Sequence, residues 1–376
     1  MEKKKMGEYF SEVETTTGYD GYFFSVSAAI TISILGTFCG LRNMQQIHQW
    51  AGNGKIRSFL SENFGIENLV CYSWFTQVLG LIKPESFSAC FTKWVMAGVN
   101  GMDGKTLSFD GKTVRSTAKM KNYKNPLHIV SAQIAELGIT FGQKAVDGKS
   151  NEIPAVRELM ELLDMKGCLV VADALNCQKD TAKAIVEARA DYLLSVKENQ
   201  PNLTSEISQY VADDSLRKTM DKARKKEKSR ERIETRTAYT TCDIGWLLGK
   251  EEWVGLACIG AINTQFETEK GQTNEWHYYI SSRELTAEEL LKHARSEWSV
   301  ETMHWLLDVH FGEDFCRAAE QRTQENLNII RKIVLNSLRF YKNEHNSKAA
   351  FPHLMLDCML DPARILNYWA FDVFQN

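Results

Sequence analysis

Asp110, Asp173 and Glu301 stand in sequence contexts that suit metal-dependent chemistry. Asp110 ends an apolar run, after which Gly111 can make a turn, and Asp173 ends a stronger run that is typical of a buried strand. Glu301 lies in a helical pattern over about 286–311. Carboxylates suit Mg²⁺, and two such ions can clamp the attacking and leaving oxygens of a phosphoryl transfer. Each acid alone is weak evidence, because Asp is also common in turns.

Six motifs follow one another along the chain and give these acids a specific context. They are DGKTVR at 110–115, GKSNEIP at 148–154, ADALNCQK at 172–179, YLLSVKENQ at 192–200, YYISS at 278–282 and EWSVETMHWLLDV at 297–309. In this order they closely resemble the insertion-sequence transposases of the ISAs group, which include the H-repeat-associated proteins. The resemblance covers about 105–338. More loosely, 25–91 is similar to the N-terminal helical region of that family.

The resemblance implies a DDE transposase with a ribonuclease-H-like core, in which Asp110, Asp173 and Glu301 are the catalytic and metal-binding acids. The implied cofactor is Mg²⁺ or Mn²⁺, with two ions in each active site. The implied partners are double-stranded DNA, both element ends and target, and further copies of the chain in a homodimer or higher oligomer. One departure concerns the helix of Glu301: the family form Glu-Asn-x-Leu-His-Trp is one residue shorter here, ending at Trp305.

Basic residues in or near these motifs are the candidates for DNA contact. The candidates are Lys112, Arg115, Lys197, Arg224, Lys225, Lys226, Lys228, Arg230 and Arg295. Five of them form a dense run over 224–230, which either contacts the phosphates of transposon-end DNA or is only a solvated connection. Lys197 either contacts phosphate or stabilises the acidic cluster.

Other residues in these motifs have ordinary structural interpretations. Trp298 and Trp305 are expected in the core, and Cys177 is expected to be a small packing residue rather than a nucleophile. Asn199 and Gln200 are typical of turns. Residues expected to be surface, structural or solvated groups are Glu297, His304, Asp308, Glu313 and Asp314.

Composition describes an ordinary globular chain of 376 residues, with 44% hydrophobic and 25% charged residues and a formal net charge of −3. This net charge gives no global attraction to nucleic acid, so DNA binding requires local basic surface. Nine scattered Cys without C-x-x-C spacing favour a reducing cytoplasm over a disulfide framework. No signal peptide is expected. The apolar stretch 23–41 contains several Ser and Thr, which favours a buried helix over a membrane span.

The order of predicted elements indicates an α/β fold: a ribonuclease-H-like mixed sheet core with a β-rich insertion and an N-terminal helical domain. Three antiparallel strands, a helix, a strand, a helix and a strand are expected between 101 and 204. The expected divisions are an N-terminal helical domain at 1–100, a first core part at 101–204, a basic β-rich insertion at 205–284, a second core part at 285–342 and a C-terminal tail at 343–376. The second core part is expected to contain the helix that bears Glu301 and a following helix.

The sequence therefore predicts a DNA transposase that cleaves the ends of an insertion sequence and transfers the freed strand into target DNA. Metal-activated water attacks first and the resulting 3′-hydroxyl attacks second, without a covalent protein intermediate. Two alternatives stay open: a metal-dependent nuclease of the same fold, and a catalytically inactive or domesticated copy that binds DNA.

Overall fold

The structure is a computed structural model. It describes residues 6–18, 24–119, 125–146, 152–228, 233–268, 271–318 and 320–369.

The described strands form one mixed sheet. In chain order they are β1 (Thr106–Thr113), β2 (His128–Ile134), β3 (Ile139–Val146), β4 (Leu169–Ala172), β5 (Asp191–Val196), β6 (Asp221–Lys228), β7 (Ile233–Thr241), β8 (Cys258–Thr268) and β9 (Gly271–Ser281). Their spatial order is β3-β2-β1-β4-β5-β9-β8-β7-β6. The first three strands are antiparallel, whereas β1, β4 and β5 are parallel. This half of the sheet has the expected ribonuclease-H-like arrangement.

The strands between β5 and the last core helices continue the same sheet. β9 pairs with β5, and β8, β7 and β6 follow in antiparallel order, so that β6 is an edge strand. The described part of the dense basic run, 224–228, therefore lies in strand β6 and not in a connecting loop.

The described N-terminal helices form a group, three members of which pack against one long helix near the C-terminus. They are α1 (Met6–Phe10), α2 (Val26–Phe38), α3 (Met44–Ala51), α4 (Gly54–Phe64), α5 (Tyr72–Leu81) and α6 (Pro84–Gly98). The expected buried helix corresponds to α2, nearly all of which is buried. No helix in the described parts of the chain is both long and apolar enough to cross a membrane.

Four helices connect or follow the core strands. They are α7 (Glu152–Glu161), α8 (Lys179–Glu187), α9 (Pro201–Ala212) and α10 (Asp214–Arg217). The helical pattern over 286–311 forms two helices, not one: α11 (Ala287–Ala294) and α12 (Glu297–Val309). Between the two helices, the backbone N–H of Ser296 donates to the carbonyl of His293, and that of Trp298 donates to the carbonyl of Arg295. Both bonds span three residues rather than the four of an α-helix, so the chain makes a tight turn that separates the helices.

The last helices are α13 (Gln321–Glu344), α14 (Phe351–Leu360) and α15 (Ile365–Trp369). Buried amides of α13 connect the N-terminal helices to the sheet. Asn326 donates to the carbonyls of Leu79 and Ile82, and Asn336 bonds both the N–H and the carbonyl of Thr140 on β3. Most buried apolar residues of the described chain form one core cluster, and a smaller cluster lies under α11.

Candidate active site

Helix α12 and the turn before it lie along β1. Alternate β1 side chains point to one face of the sheet, and three of them contact this segment and α11. The contacts join Thr106 Oγ1 to His293 Nδ1 at 3.0 Å, Ser108 Oγ to the carbonyl of Ser296 at 2.6 Å, and Asp110 Oδ2 to His304 Nδ1 at 3.4 Å. Asp110 is therefore the outermost of a row of polar residues that fixes the helices on the strand.

Gly111 lies inside β1 and makes no turn, which corrects the expectation from the sequence. Its role comes from the opposite face, where His128 Nε2 lies 3.0 Å from Glu152 Oε2 and both side chains are buried. A Cβ atom at position 111 would lie 2.6 Å from Glu152 Oε2 and closer still to His128 Nε2. Only glycine leaves room for this buried pair behind Asp110.

Asp173 directly follows β4, the parallel neighbour of β1. Its Oδ1 accepts hydrogen bonds from the backbone N–H of Asn176 at 3.1 Å and from Asn176 Nδ2 at 2.9 Å. Burial raises the pKa of Asp173; the Asn176 bonds oppose this, and the negative charges of Glu152 and Asp110 add to it. Asp110 and Asp173 are thus close enough to repel one another.

The loop after Asp173 is held by the residues that were expected to be simple turn formers. Asn199 Nδ2 donates to the carbonyl of Ala174 at 2.6 Å, and Gln200 Nε2 donates to the carbonyl of Cys177 at 3.0 Å. Burial raises the pKa of the Cys177 thiol to about 12, which confirms its packing role.

Helix α12 presents two glutamates near these aspartates. Glu301 is exposed, whereas Glu297 is half-buried. Burial raises the pKa of Glu297 to about 7, and the charge of Asp173 is the next cause. His304 is also mostly covered, with 13% of its side chain exposed. The expectation that Glu297 and His304 are surface groups was wrong; their seven-residue spacing, two helical turns, is the signal that could have placed both on the sheet side.

Trp298 and Trp305 lie on the outer side of α12, with 49% and 56% of their surface exposed. The helix instead buries Val300, Met303 and Leu307. The two tryptophans were predicted in the core, and that prediction was wrong because the polar face of α12, not its aromatic face, meets β1. The Trp298 ring packs against the Arg236 guanidinium, whose Cζ lies 5.8 Å from the ring centroid.

A second acidic cluster lies beyond Asp110. Among the residues that the structure describes, Asp308, Glu313 and Asp314 are the three acids that bring potential ligand atoms within 4.8 Å of one another; no three of Asp110, Asp173, Glu297 and Glu301 form such a group. Lys112 Nζ lies 2.5 Å from both Asp308 Oδ1 and Glu313 Oε2, so an ammonium group already occupies this cluster and offsets part of its negative charge.

This arrangement argues against the expected phosphate contact of Lys112, whose side chain is only 14% exposed. Burial disfavours ionisation of Glu313, but the Lys112 charge and hydrogen bond outweigh it and hold the pKa of Glu313 below its usual range. Lys112 therefore joins β1 to the end of α12 and the turn that follows.

Comparison of the sequence with known protein families gives a match that covers more than half of the chain. A family model described as the transposase DDE domain matches residues 101–337. The chain belongs to the DDE transposase family.

Relatives of this transposase match it over most of its length. YbfL from Escherichia coli (strain K12) and YhhI from the same strain, an H repeat-associated protein named as a transposase, are each 30% identical over 370 residues, 96% of this chain and 96% of each relative. YncI from Escherichia coli O157:H7, also named as a transposase, is 34% identical over 280 residues, 71% of this chain and 70% of that protein. Among solved structures, a piggyBac transposase synaptic complex with hairpin DNA has a TM-score of 0.46 and 8% identity, over 95% of this chain and 76% of that chain.

The residues outside β6 that were predicted to contact DNA differ in their surroundings. Arg115 is 85% exposed and pairs with Asp314, whereas Lys197 is exposed beside Glu297. Arg295 donates to Glu227 Oε1 at 2.8 Å. Arg230 lies outside the described residues.

The basic residues of β6 divide between the two faces of the sheet. Lys222, Arg224, Lys226 and Lys228 alternate onto one face. Lys225 shares the other face with Ala223 and Glu227, where α11 packs. Arg224, Lys226 and Lys228 are all exposed, so they form a basic row on the side of the sheet opposite α11.

Proposed function

We propose that this transposase cleaves phosphodiester bonds at the ends of its element and joins the freed ends to target DNA, with Asp110, Asp173 and Glu301 as its catalytic acids. One observation carries the proposal. Asp110 lies within β1, directly after the last residue that pairs with parallel strand β4, and Asp173 directly follows β4, so that their charges interact; α12 brings Glu301 to the same side of the sheet.

The donor set at this place fits divalent cations. It consists of carboxylates without a thiolate, which is the ligand chemistry of Mg²⁺ and Mn²⁺ rather than of softer metals. The mutual repulsion of Asp110 and Asp173 would be relieved by a positive ion between them. We propose Mg²⁺ or Mn²⁺, as two ions, at this site; such ions lower the pKa of an attacking water or hydroxyl and neutralise charge on the phosphate.

The reaction has two in-line displacements at phosphorus. In the first, a water oxygen bonds to phosphorus and the bond to the 3′ oxygen breaks, so that a 3′-hydroxyl is released. In the second, that hydroxyl bonds to a target phosphorus, displaces the target 3′ oxygen and joins the strands. His304 holds the Asp110 carboxylate on its protein side, and Asn176 holds Asp173 in the same way.

Double-stranded DNA is the proposed partner, both as element end and as target. Arg115 and Lys197 supply exposed positive charge near the acids, and the basic row of β6 supplies more at the sheet edge. We further propose that the transposase acts in the cytoplasm as a homodimer or higher oligomer on DNA, because two element ends must be cut and joined.

Asp110→Asn, Asp173→Asn and Glu301→Gln test the catalytic proposal. Each change keeps the side-chain shape but removes the charge that holds a cation. A plasmid carrying the DNA that flanks the gene serves as substrate, and short inverted repeats in that DNA define the ends. We expect each variant to lose at least a hundredfold in Mg²⁺-dependent cleavage, with its unfolding temperature and end binding retained.

Cleavage at the wild-type rate by any variant would remove that residue from the site.

A DNA substrate with a pre-cleaved element end distinguishes the transposase from the two alternative functions. A nuclease of the same fold would cut the plasmid but fail to join this end to target DNA, whereas an inactive or domesticated copy would bind the ends and do neither.

A further inference from the structure

Two contacts anchor α12 beside the catalytic strand. The Ser296 carbonyl accepts from Ser108 Oγ at one end, and His304 meets Asp110 two turns later. Glu297 follows Ser296 directly and precedes His304 by seven residues. Seven residues rotate a helix to within about 20° of the starting direction, so Glu297 and His304 share one face. Glu297 therefore lies on the side of α12 that faces β1.

Glu301 lies about 40° further around the helix, since it is four residues beyond Glu297. The two glutamates consequently have different surroundings. Glu301 is exposed, whereas Glu297 is half-buried within reach of the negative charges of Asp173 and Asp110. This places Glu297, rather than Glu301, deeper among the acids that β1 and β4 contribute.

Glu297 also lacks a direct partner. Within the described ranges it makes no hydrogen bond or ion pair, and the ammonium of Lys197 acts on it only through its charge. A half-buried carboxylate without donors is less well solvated than a free one, and a proton or a cation that neutralises it relieves this cost. The neighbouring groups are aspartates that we have proposed as cation ligands, so the same cation can neutralise Glu297.

We infer that Glu297 is a carboxylate ligand of the metal site, acting beside Asp110 and Asp173, so that α12 contributes two acids in place of one. The inference rests on the proposed function. Glu297 binds from the covered side of the site, and Glu301 binds from the rim, where solvent and DNA enter.

Mn²⁺ binding to the purified chain tests this inference without DNA or turnover. Electron paramagnetic resonance measures free Mn²⁺ during a titration of the wild type, Glu297→Gln, Glu301→Gln and Glu288→Gln. Glu288 is the matched control, because it is an exposed glutamate on α11. We expect Glu297→Gln to weaken Mn²⁺ binding at least tenfold and Glu288→Gln to leave it unchanged. Removal of a carboxylate from the covered side should weaken binding more than Glu301→Gln does.

Wild-type affinity in Glu297→Gln would overturn the inference. If Asp110→Asn and Asp173→Asn still weaken Mn²⁺ binding in that case, the proposed function stands without Glu297. If those two variants also bind Mn²⁺ and cleave DNA like the wild type, the proposed function fails independently.

Glu297→Asp keeps the test decisive if the glutamine variant does not fold. The aspartate retains the charge but withdraws it by one methylene group. We expect this variant to fold and to bind Mn²⁺ with an affinity between those of the wild type and a variant without the carboxylate. Unchanged affinity would again contradict ligation by Glu297.

Discussion

His304, Asp110 and Gly111 show how much of this site depends on single side chains. His304 contacts the Asp110 carboxylate on one face of β1, and the missing side chain of Gly111 admits the buried His128–Glu152 pair on the other. The strand therefore carries polar groups on both faces at the place where chemistry is proposed. Small changes of volume here should alter both stability and the position of Asp110.

Gly111→Ala should destabilise the fold. The added methyl group would lie 2.6 Å from a carboxylate oxygen of Glu152 and closer still to a ring nitrogen of His128, so the buried pair must move. Overpacking of this kind costs about 1–3 kcal/mol. Urea unfolding measures the difference. Gly54→Ala is the matched control, because nothing lies within 4 Å of a Cβ there and its cost should be near zero. Equal stability of both variants would contradict the close packing behind Asp110.

Glu227 should make stability depend on pH in the acidic range. It accepts hydrogen bonds from Arg295 at 2.8 Å and from Arg236 at 2.6 Å, and together with Lys225 these hold its pKa at about 2. Because the folded pKa lies below the ordinary value near 4.5, the stabilisation is present above pH 4.5 and is lost as pH falls toward 2.

Urea unfolding at pH 7 and pH 3 therefore distinguishes Glu227→Gln from the wild type. We expect the variant to be less stable at pH 7 and to lose less stability on acidification. Glu288→Gln controls for removal of an exposed carboxylate. Parallel pH profiles in the wild type and Glu227→Gln would show that the arginine pairs add nothing to folding.

At the scale of elements, the sequence located most strands but not the orientation of α12. Apolar runs predicted β2, β3, β4 and β5 in their correct order along the chain, because buried strands need such runs. The helical pattern over 286–311 continued across the tight turn at Arg295 and Ser296, which has no Pro or Gly to reveal it. The resemblance selected Glu301, whereas the seven-residue spacing that puts Glu297 and His304 on one helix face is present in the sequence but is not part of the motif. Trp298 and Trp305 resembled core residues because apolarity alone does not show which face of a helix meets the sheet.

The alternation of side chains between the two faces of β6 allows a test of DNA contact. If the basic row contacts phosphates, replacing Arg224, Lys226 and Lys228 with Ser should lower the salt dependence of DNA binding by about three units of slope, one for each phosphate that the variant no longer neutralises. Lys225→Ser is the control, since Lys225 points to the other face and pairs with Glu227. Fluorescence anisotropy titrations of end DNA at several salt concentrations measure the slope.

An unchanged slope in the triple variant would give these residues a different role. Charged side chains on an edge strand also prevent pairing with the edges of other molecules. In that case the variant should aggregate more readily than the wild type while binding DNA normally.

At the scale of the whole molecule, α13 unites the N-terminal helices with the sheet. Its buried Asn326 and Asn336 satisfy backbone groups on both partners, and on the edge strand β3 Asn336 bonds both backbone groups of Thr140. The sequence predicted a helix in this region but not its contacts, since buried amides in a helix have no periodic signature.

Asn336→Leu should lower the free energy of unfolding by roughly 2–4 kcal/mol, because it leaves two buried backbone groups of Thr140 without partners and each costs about 1–3 kcal/mol. Asn343→Leu, on an exposed part of the same helix, should cost much less. Chemical unfolding of the two variants measures the difference, and similar costs would argue that α13 is not the connecting element.

Lys112 gives the molecule a cation that cannot diffuse away. Its ammonium is tethered to β1 beside the carboxylates of Asp308, Glu313 and Asp314, so it offsets part of their negative charge even when every free ion is sequestered. A chelator should consequently stop DNA cleavage and remove only the stabilisation that ions at the proposed catalytic acids supply. Lys112→Met would remove the tethered charge, and added Ca²⁺ or Mg²⁺ should then raise the melting temperature of this variant more than that of the wild type, because a free ion takes the place of the ammonium.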